Sequence, residues 1–170
     1  NAIKFYTAAA DNQKIVDAYK LKSSEYYTAA DNFYIGMAYF RLKEYENASA
    51  EFQTVIDKSP DFITAYQLRA NCLSAIDTTA QGLALPAYQL LLDKTESDPV
   101  KYANERGEAY SFMNYYFYQQ YEKTKVRENA RKAIEYGQKA LEIDAENANA
   151  KTINNYLVQV LRALDAKAKQ

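Results

Sequence analysis

DNFYIGMAYFRL, residues 31–42, carries two apolar stripes at helical spacing. Ile35, Tyr39 and Leu42 recur on one face, and Phe33, Met37 and Phe40 on another. A helix with two apolar faces must be sandwiched between neighbours or keep one face for a partner. Downstream, the polar pair Lys43-Glu44 breaks the pattern, and a second stripe follows at Ala48, Phe52, Val55 and Ile56. It ends at Ser59-Pro60, because proline cannot continue a helix and restricts the residue before it. The reading is two helices joined by a short turn.

The pattern recurs. Gly36 and Tyr39 correspond to Ala70 and Leu73 at a period of about 34 residues. Ala48, Phe52 and Pro60 correspond to Ala87, Leu91 and Pro99, all at an offset about five residues longer than that period. One insertion between the helices of the second pair explains all three, and TTAQGLAL, residues 78–85, is the place for it. Pro86 is then expected to open the next helix, where its missing N–H costs nothing. In the third pair Asp98-Pro99 reads as an N-cap and first helical residue, with the helix running to about Gln120. Two frames compete there: Asn114 with Phe117 in the places of Gly36 and Tyr39, or Ala109 with Phe112. The second helix is read over Ala130–Asn147, with Ala133, Ala140 and Ala145 matching Ala48, Val55 and Pro60.

The ends differ from the middle. Ile153, Leu157, Val160, Leu161 and Leu164 form a single stripe, as a terminal capping helix requires when nothing stacks on its outside. Before residue 28, Ile15, Ala18, Tyr19 and Leu21 give a weak stripe, read as a partial unit. The organisation expected is therefore one domain over 1–170. It comprises a partial unit (1–28), a repeat (29–62), a repeat with an insertion (63–98), a degenerate repeat (99–147) and a capping helix (148–170).

These residues resemble the tetratricopeptide repeat (TPR) family. Its pattern is a small residue in the first helix with a large one before it and an aromatic one after. The second helix then carries alanine, an aromatic residue and a second alanine, and proline closes the unit. Ile35, Gly36, Tyr39, Ala48, Phe52 and Pro60 match, with Val55 in place of the second alanine. The third unit departs at Asn114, Gly137 and Ala145. The resemblance implies an all-α fold: a right-handed α-α superhelix, a TPR solenoid of antiparallel helix pairs with a C-terminal capping helix. The stretch from about Gln81 to Tyr118 also looks similar to TPR proteins of the Gram-negative cell envelope. That likeness favours a periplasmic or envelope location over a cytoplasmic one.

Composition narrows the function. The chain has 170 residues and no histidine, which removes the commonest general base and metal ligand. Ser-His-Asp and Cys-His arrangements and Cys/His zinc sites are thereby excluded within this chain. The four glycines are scattered, so no phosphate-cradling loop exists. No cofactor and no enzymatic activity are expected. Asp93, Glu96 and Asp98 read as a solvated acidic loop, because no calcium-loop spacing is present. Cys72, the lone cysteine, reads as a small core residue. A net charge of -1 offers no surplus for displacing counterions from nucleic acid. Acidic residues interleave with the local basic run Lys123, Lys125, Arg127, Arg131 and Lys132. No apolar run is long enough for direct membrane insertion.

The TPR resemblance implies binding of a protein or peptide partner. In the TPR arrangement the first helix of each pair faces a concave groove. Here those positions hold Phe33, Met37, Phe40 and Arg41, then Gln67, Asn71 and Ser74, then Ser111, Tyr115, Tyr118 and Gln119. Phe33, Met37 and Tyr115 are the expected anchors for apolar side chains, with Arg41 and Asn71 orienting them. The alternative for Phe33 and Phe40 is packing against the partial first unit. The alternative function is a structural or assembly segment of a larger cell-envelope complex.

Overall fold

The computed structural model describes residues 11–21 and 23–168. The part of the expected first unit that falls at 1–10 lies outside them. Among the described residues the regular secondary structure is all helical, without strands. Helix α1 spans Asn12–Lys20, α2 Ala29–Arg41, α3 Tyr45–Lys58, α4 Ile63–Ile76 and α5 Leu85–Lys94. Then follow α6 Ala103–Thr124, α7 Arg127–Ile143 and α8 Ala148–Lys167. The chain divides into two compact units, one up to Leu90 and one from Leu91. Such division suits a helical array in which each pair contacts only its neighbours.

In the first unit α2 packs on both α1 and α3, and α3 packs on α4. Thr28 starts α2 with a capping box: its hydroxyl accepts from the Asp31 N–H at 3.1 Å, and Asp31 accepts from the Thr28 N–H at 2.8 Å. The same carboxylate accepts from the Tyr19 hydroxyl of α1 at 3.1 Å, tying α1 to the start of α2. Burial, and then the Asp31 charge, push the Tyr19 phenol well above its ordinary pKa. Between α2 and α3 a buried Asn32 donates to Glu51 at 2.7 Å and accepts from Lys58 at 2.8 Å. At the crossing, Gly36 faces the ring of Phe52: a Cβ on Gly36 would lie 2.8 Å from its Cε1.

One detail of α1 differs from the sequence reading. Ile15, Val16 and Tyr19 are the buried stripe, packed with Ile35 and Ala38 of α2, whereas Leu21 is 91% exposed. The helix stops at Lys20, so Leu21 falls past the last turn and cannot continue the stripe.

Residues 77–84 connect α4 to α5 where the insertion was placed. The Asp77 carboxylate accepts from the backbone N–H groups of Gln81, Gly82 and Leu83 at 2.7, 2.6 and 3.0 Å. Gly82 takes a left-handed φ of 90°, which glycine adopts without steric cost. Helix α5 opens at Leu85, one residue before Pro86.

In the second unit α6, α7 and α8 pack against one another. The sequence reading placed the start of α6 at Pro99, but the helix begins at Ala103. Asp98 caps a turn instead, accepting from the Lys101 N–H at 3.1 Å, and residues 99–102 form that turn. At the other end α6 runs past Gln120 to Thr124, where Lys125 turns left-handed at φ 54°. Helix α7 starts at Arg127, earlier than Ala130, and ends at Ile143.

The α6–α7 crossing inverts the sizes found at the α2–α3 crossing. Here the glycine is Gly137 on the second helix, at the place that corresponds to Phe52, and it faces Asn114 on the first. Asn114 is buried and donates to the Ala133 carbonyl at 2.8 Å and to Asn154 Oδ1 at 3.1 Å. Asn154 of α8 in turn donates to the Ile134 carbonyl at 3.1 Å. Two carboxamides thus fill the space over one glycine and join three helices. Asn114, and not Ala109, stands opposite the Phe52-equivalent position.

Candidate functional site

The expected anchors in the first unit sit in different surroundings from those foreseen. Phe33, Met37 and Phe40 are half-buried and pack on the cluster of Ala48, Phe52 and Cys72 with Leu68. Phe33 lies edge-on to Phe62 at 5.1 Å between ring centroids, and Phe40 edge-on to Tyr45 at 5.6 Å. Their packing is therefore towards α3 and α4. Helix α1 covers the opposite face, at Ile35, Ala38, Tyr39 and Leu42. Part of Phe33 still borders an apolar cleft of about 500 Å3 with Ala29, Ala30, Tyr34, Val55, Ser59 and Phe62. Arg41 is exposed at the end of α2. Gln67 and Asn71 are half-buried on α4. The Asn71 carboxamide oxygen accepts from the Tyr88 hydroxyl of α5 at 2.7 Å, so that oxygen serves the fold.

Cys72 is fully buried, and burial pushes its thiol up to about 12. Only the thiolate is an effective nucleophile. The native chain should therefore react negligibly with a disulfide reagent such as dithionitrobenzoate at pH 8, and release one equivalent on denaturation. Rapid labelling of the folded chain would contradict the packing of α3 on α4.

The second unit gathers more. Tyr115 and Tyr118 of α6 line a cleft of about 620 Å3 with Asn149, Thr152, Ile153 and Tyr156 of α8. Tyr115 is 51% exposed and Tyr156 43%. Tyr115 and Tyr118 are 6.3 Å apart between centroids and tilted by 41°; Tyr118 and Tyr156 are 6.1 Å apart and nearly perpendicular at 88°. Tyr156 donates to Glu122 at 3.0 Å, which raises its phenol pKa, and Lys125 pairs with the other oxygen of Glu122. That bond from Lys125 is the main cause holding the Glu122 carboxyl below its usual range. Ser111 lies in a second, smaller cleft, about 250 Å3, where Asn147 donates to its hydroxyl at 3.0 Å. Gln119 is half-buried on α6 and borders neither of these clefts.

Asn149, Thr152 and Tyr156 were missed by sequence reading, which treated α8 as a cap with a polar outer face. An aromatic residue off the apolar stripe, at Tyr156, was the available signal. The basic run is interleaved with acid as expected: Lys125 pairs with Glu122, Arg127 with Asp165 and Arg131 with Glu128. Among the described residues no group of three or more His, Cys, Asp or Glu side chains could hold a metal ion. No helix among them is long and apolar enough to cross a membrane.

Two antiparallel helix pairs with a glycine at each crossing match solved repeat structures. The C-terminal part of a TPR repeat-containing protein from Cytophaga hutchinsonii matches with a TM-score of 0.64 at 26% identity. The fold is of the TPR type. The match covers 89% of this chain and 65% of that one, so the chain spans less than two thirds of that structure. The MamA RS-1 ArsTM double mutant matches with a TM-score of 0.62 at 18% identity, over 97% of this chain and 93% of that one. No protein-family model matches the chain, and no curated protein matches its sequence.

Proposed function

We propose that this chain is a protein-interaction module, without catalysis, that holds a peptide or a partner's surface against its first helices. The repeat divisions 29–62, 63–98 and 99–147, with 148–170 as the closing helix, belong to this reading. The observation that carries it is the cleft of Tyr115, Tyr118 and Tyr156. Two of these rings are about half exposed although the same helices bury smaller residues such as Ala109, Ala150 and Ile153. Tyrosine combines a large contact area with little conformational entropy to lose, and it is enriched where interfaces concentrate their energy.

The centre of the site thus shifts from Phe33 and Met37, which serve the α2–α4 core, to Tyr115 and Tyr118 with their α8 neighbours. Selection from a library of displayed random peptides tests this. Selected peptides should bind the intact chain and lose about tenfold or more in affinity on Tyr115→Ala with Tyr156→Ala. Helicity should be unchanged, since both side chains are exposed. Retained binding by the folded double variant would move the site elsewhere; recovery of no peptide would sink the reading.

A further inference from the structure

We infer that the α6–α8 cleft takes an extended, uncharged segment in the polyproline conformation, a proline-rich stretch of a partner protein. This rests on the interaction-module reading and specifies the ligand.

Three features of the cleft support it. The six lining side chains carry no ionised group. The carboxylate that Tyr156 contacts, Glu122, is paired with Lys125. A charged tail would find no counter-charge there, and its desolvation would be uncompensated. Next, the cleft presents solvent-facing polar groups that have no partner within the protein. Among the described residues, the hydroxyls of Tyr115 and Tyr118 and the Asn149 carboxamide have no hydrogen-bond partner. A helical ligand has already used its backbone carbonyls internally. A polyproline segment has no internal hydrogen bonds, so every carbonyl remains available to such donors. Finally, the rings do not form a flat platform. Tilts of 41° and 88° between successive rings make angled walls, with Ile153 among the lining residues. Walls of that kind receive projecting pyrrolidine rings, and aromatic-lined grooves are the general means of recognising this conformation. A planar sugar face would instead stack on one open ring.

Calorimetric titration with an N-acetylated, C-amidated proline decamer tests the inference. Three comparison ligands are an amphipathic helical peptide, a glutamate-serine decamer and a maltohexaose. The proline decamer is expected to bind, with affinity unchanged within twofold between 50 and 300 mM salt, because no charge is involved. Tyr115→Ala should weaken it about tenfold or more, and Tyr115→Phe, which keeps the ring and loses the donor, by less. Circular dichroism establishes that both variants are folded. If the helical or acidic peptide binds in a Tyr115-dependent way and the proline decamer does not, this inference fails and the interaction module stands. If only the sugar binds at Tyr115, both fail. If none of the four binds, the inference fails, and the random-peptide selection decides the module.

Discussion

Gly137→Ala is expected to destabilise the second unit by about 2–4 kcal/mol. A methyl group at this position would lie 2.2 Å from Asn154 Oδ1 and 2.6 Å from Asn114 Nδ2. Neither carboxamide can step aside cheaply. Asn114 holds the Ala133 carbonyl at 2.8 Å, Asn154 holds the Ile134 carbonyl at 3.1 Å, and the two hold each other at 3.1 Å. Each buried polar group left unpaired costs about 1–3 kcal/mol. The intrinsic preference of helices for alanine over glycine returns only about 1 kcal/mol. The loss should appear as a lower denaturant midpoint with an unchanged slope. Because the clash is with Asn154, adding Asn154→Ala to Gly137→Ala should cost less than the sum of the two single changes. Strict additivity would mean that the two positions do not touch. An unchanged midpoint for Gly137→Ala would show that the three-helix clamp is absent.

Gly36→Val is the counterpart in the first unit. Its Cβ would stand 2.8 Å from Phe52 Cε1, 3.0 Å from Phe52 Cδ1 and 3.2 Å from the Glu51 Cβ. Phe52 is fully buried and part of the cluster with Ala48 and Cys72, so the ring has no solvent-facing direction in which to move. Valine adds two methyl groups beyond that Cβ, and α2 must separate from α3. A cost at or above the upper end of the usual range for overpacking, about 3 kcal/mol, is expected. Separation would also strain the Asn32 bridge to Glu51 and Lys58, which spans the same two helices. Phe52→Leu on the Gly36→Val background should restore part of the stability, since it withdraws the ring atoms that meet the new side chain. A Gly36→Val midpoint equal to that of the parent would contradict the crossing itself.

The two glycines were not equally legible. Gly36 was recognisable because its neighbours along the chain, Ile35, Tyr39, Ala48 and Phe52, keep the spacing of a repeat. Gly137 stood where an aromatic residue was due, and Asn114 where a small one was due. Each reads as a departure when taken alone. Together they are one exchange of volume across the α6–α7 crossing. Spacing along one helix cannot reveal that exchange, because the compensating residue lies on another helix, and in the case of Asn154 forty positions away from Asn114.

The candidate site divides in the same way. Tyr115 and Tyr118 were placed on an open face by their spacing on one helix, and they line the cleft. Phe33, Met37 and Phe40 satisfied the same spacing yet are half-buried, because α4 brings Leu68 and Cys72 against them. Asn71, read as a groove residue, is half-buried, and its carboxamide oxygen accepts from Tyr88 of α5 at 2.7 Å.

The sequence by itself determined that this chain is helical, that α2 and α3 form a close pair at Gly36, and that a non-helical segment separates α4 from α5. Those are properties of local periodicity, of proline and glycine as breakers, and of a repeat that compares the chain with itself. Only the tertiary structure decided the start of α6, the carboxamide clamp over Gly137, and which aromatic residues are core and which line a cleft. Each of these depends on what a neighbouring helix presents: whether a side chain is buried is a property of the pair of surfaces, and one helix's sequence describes only half of it.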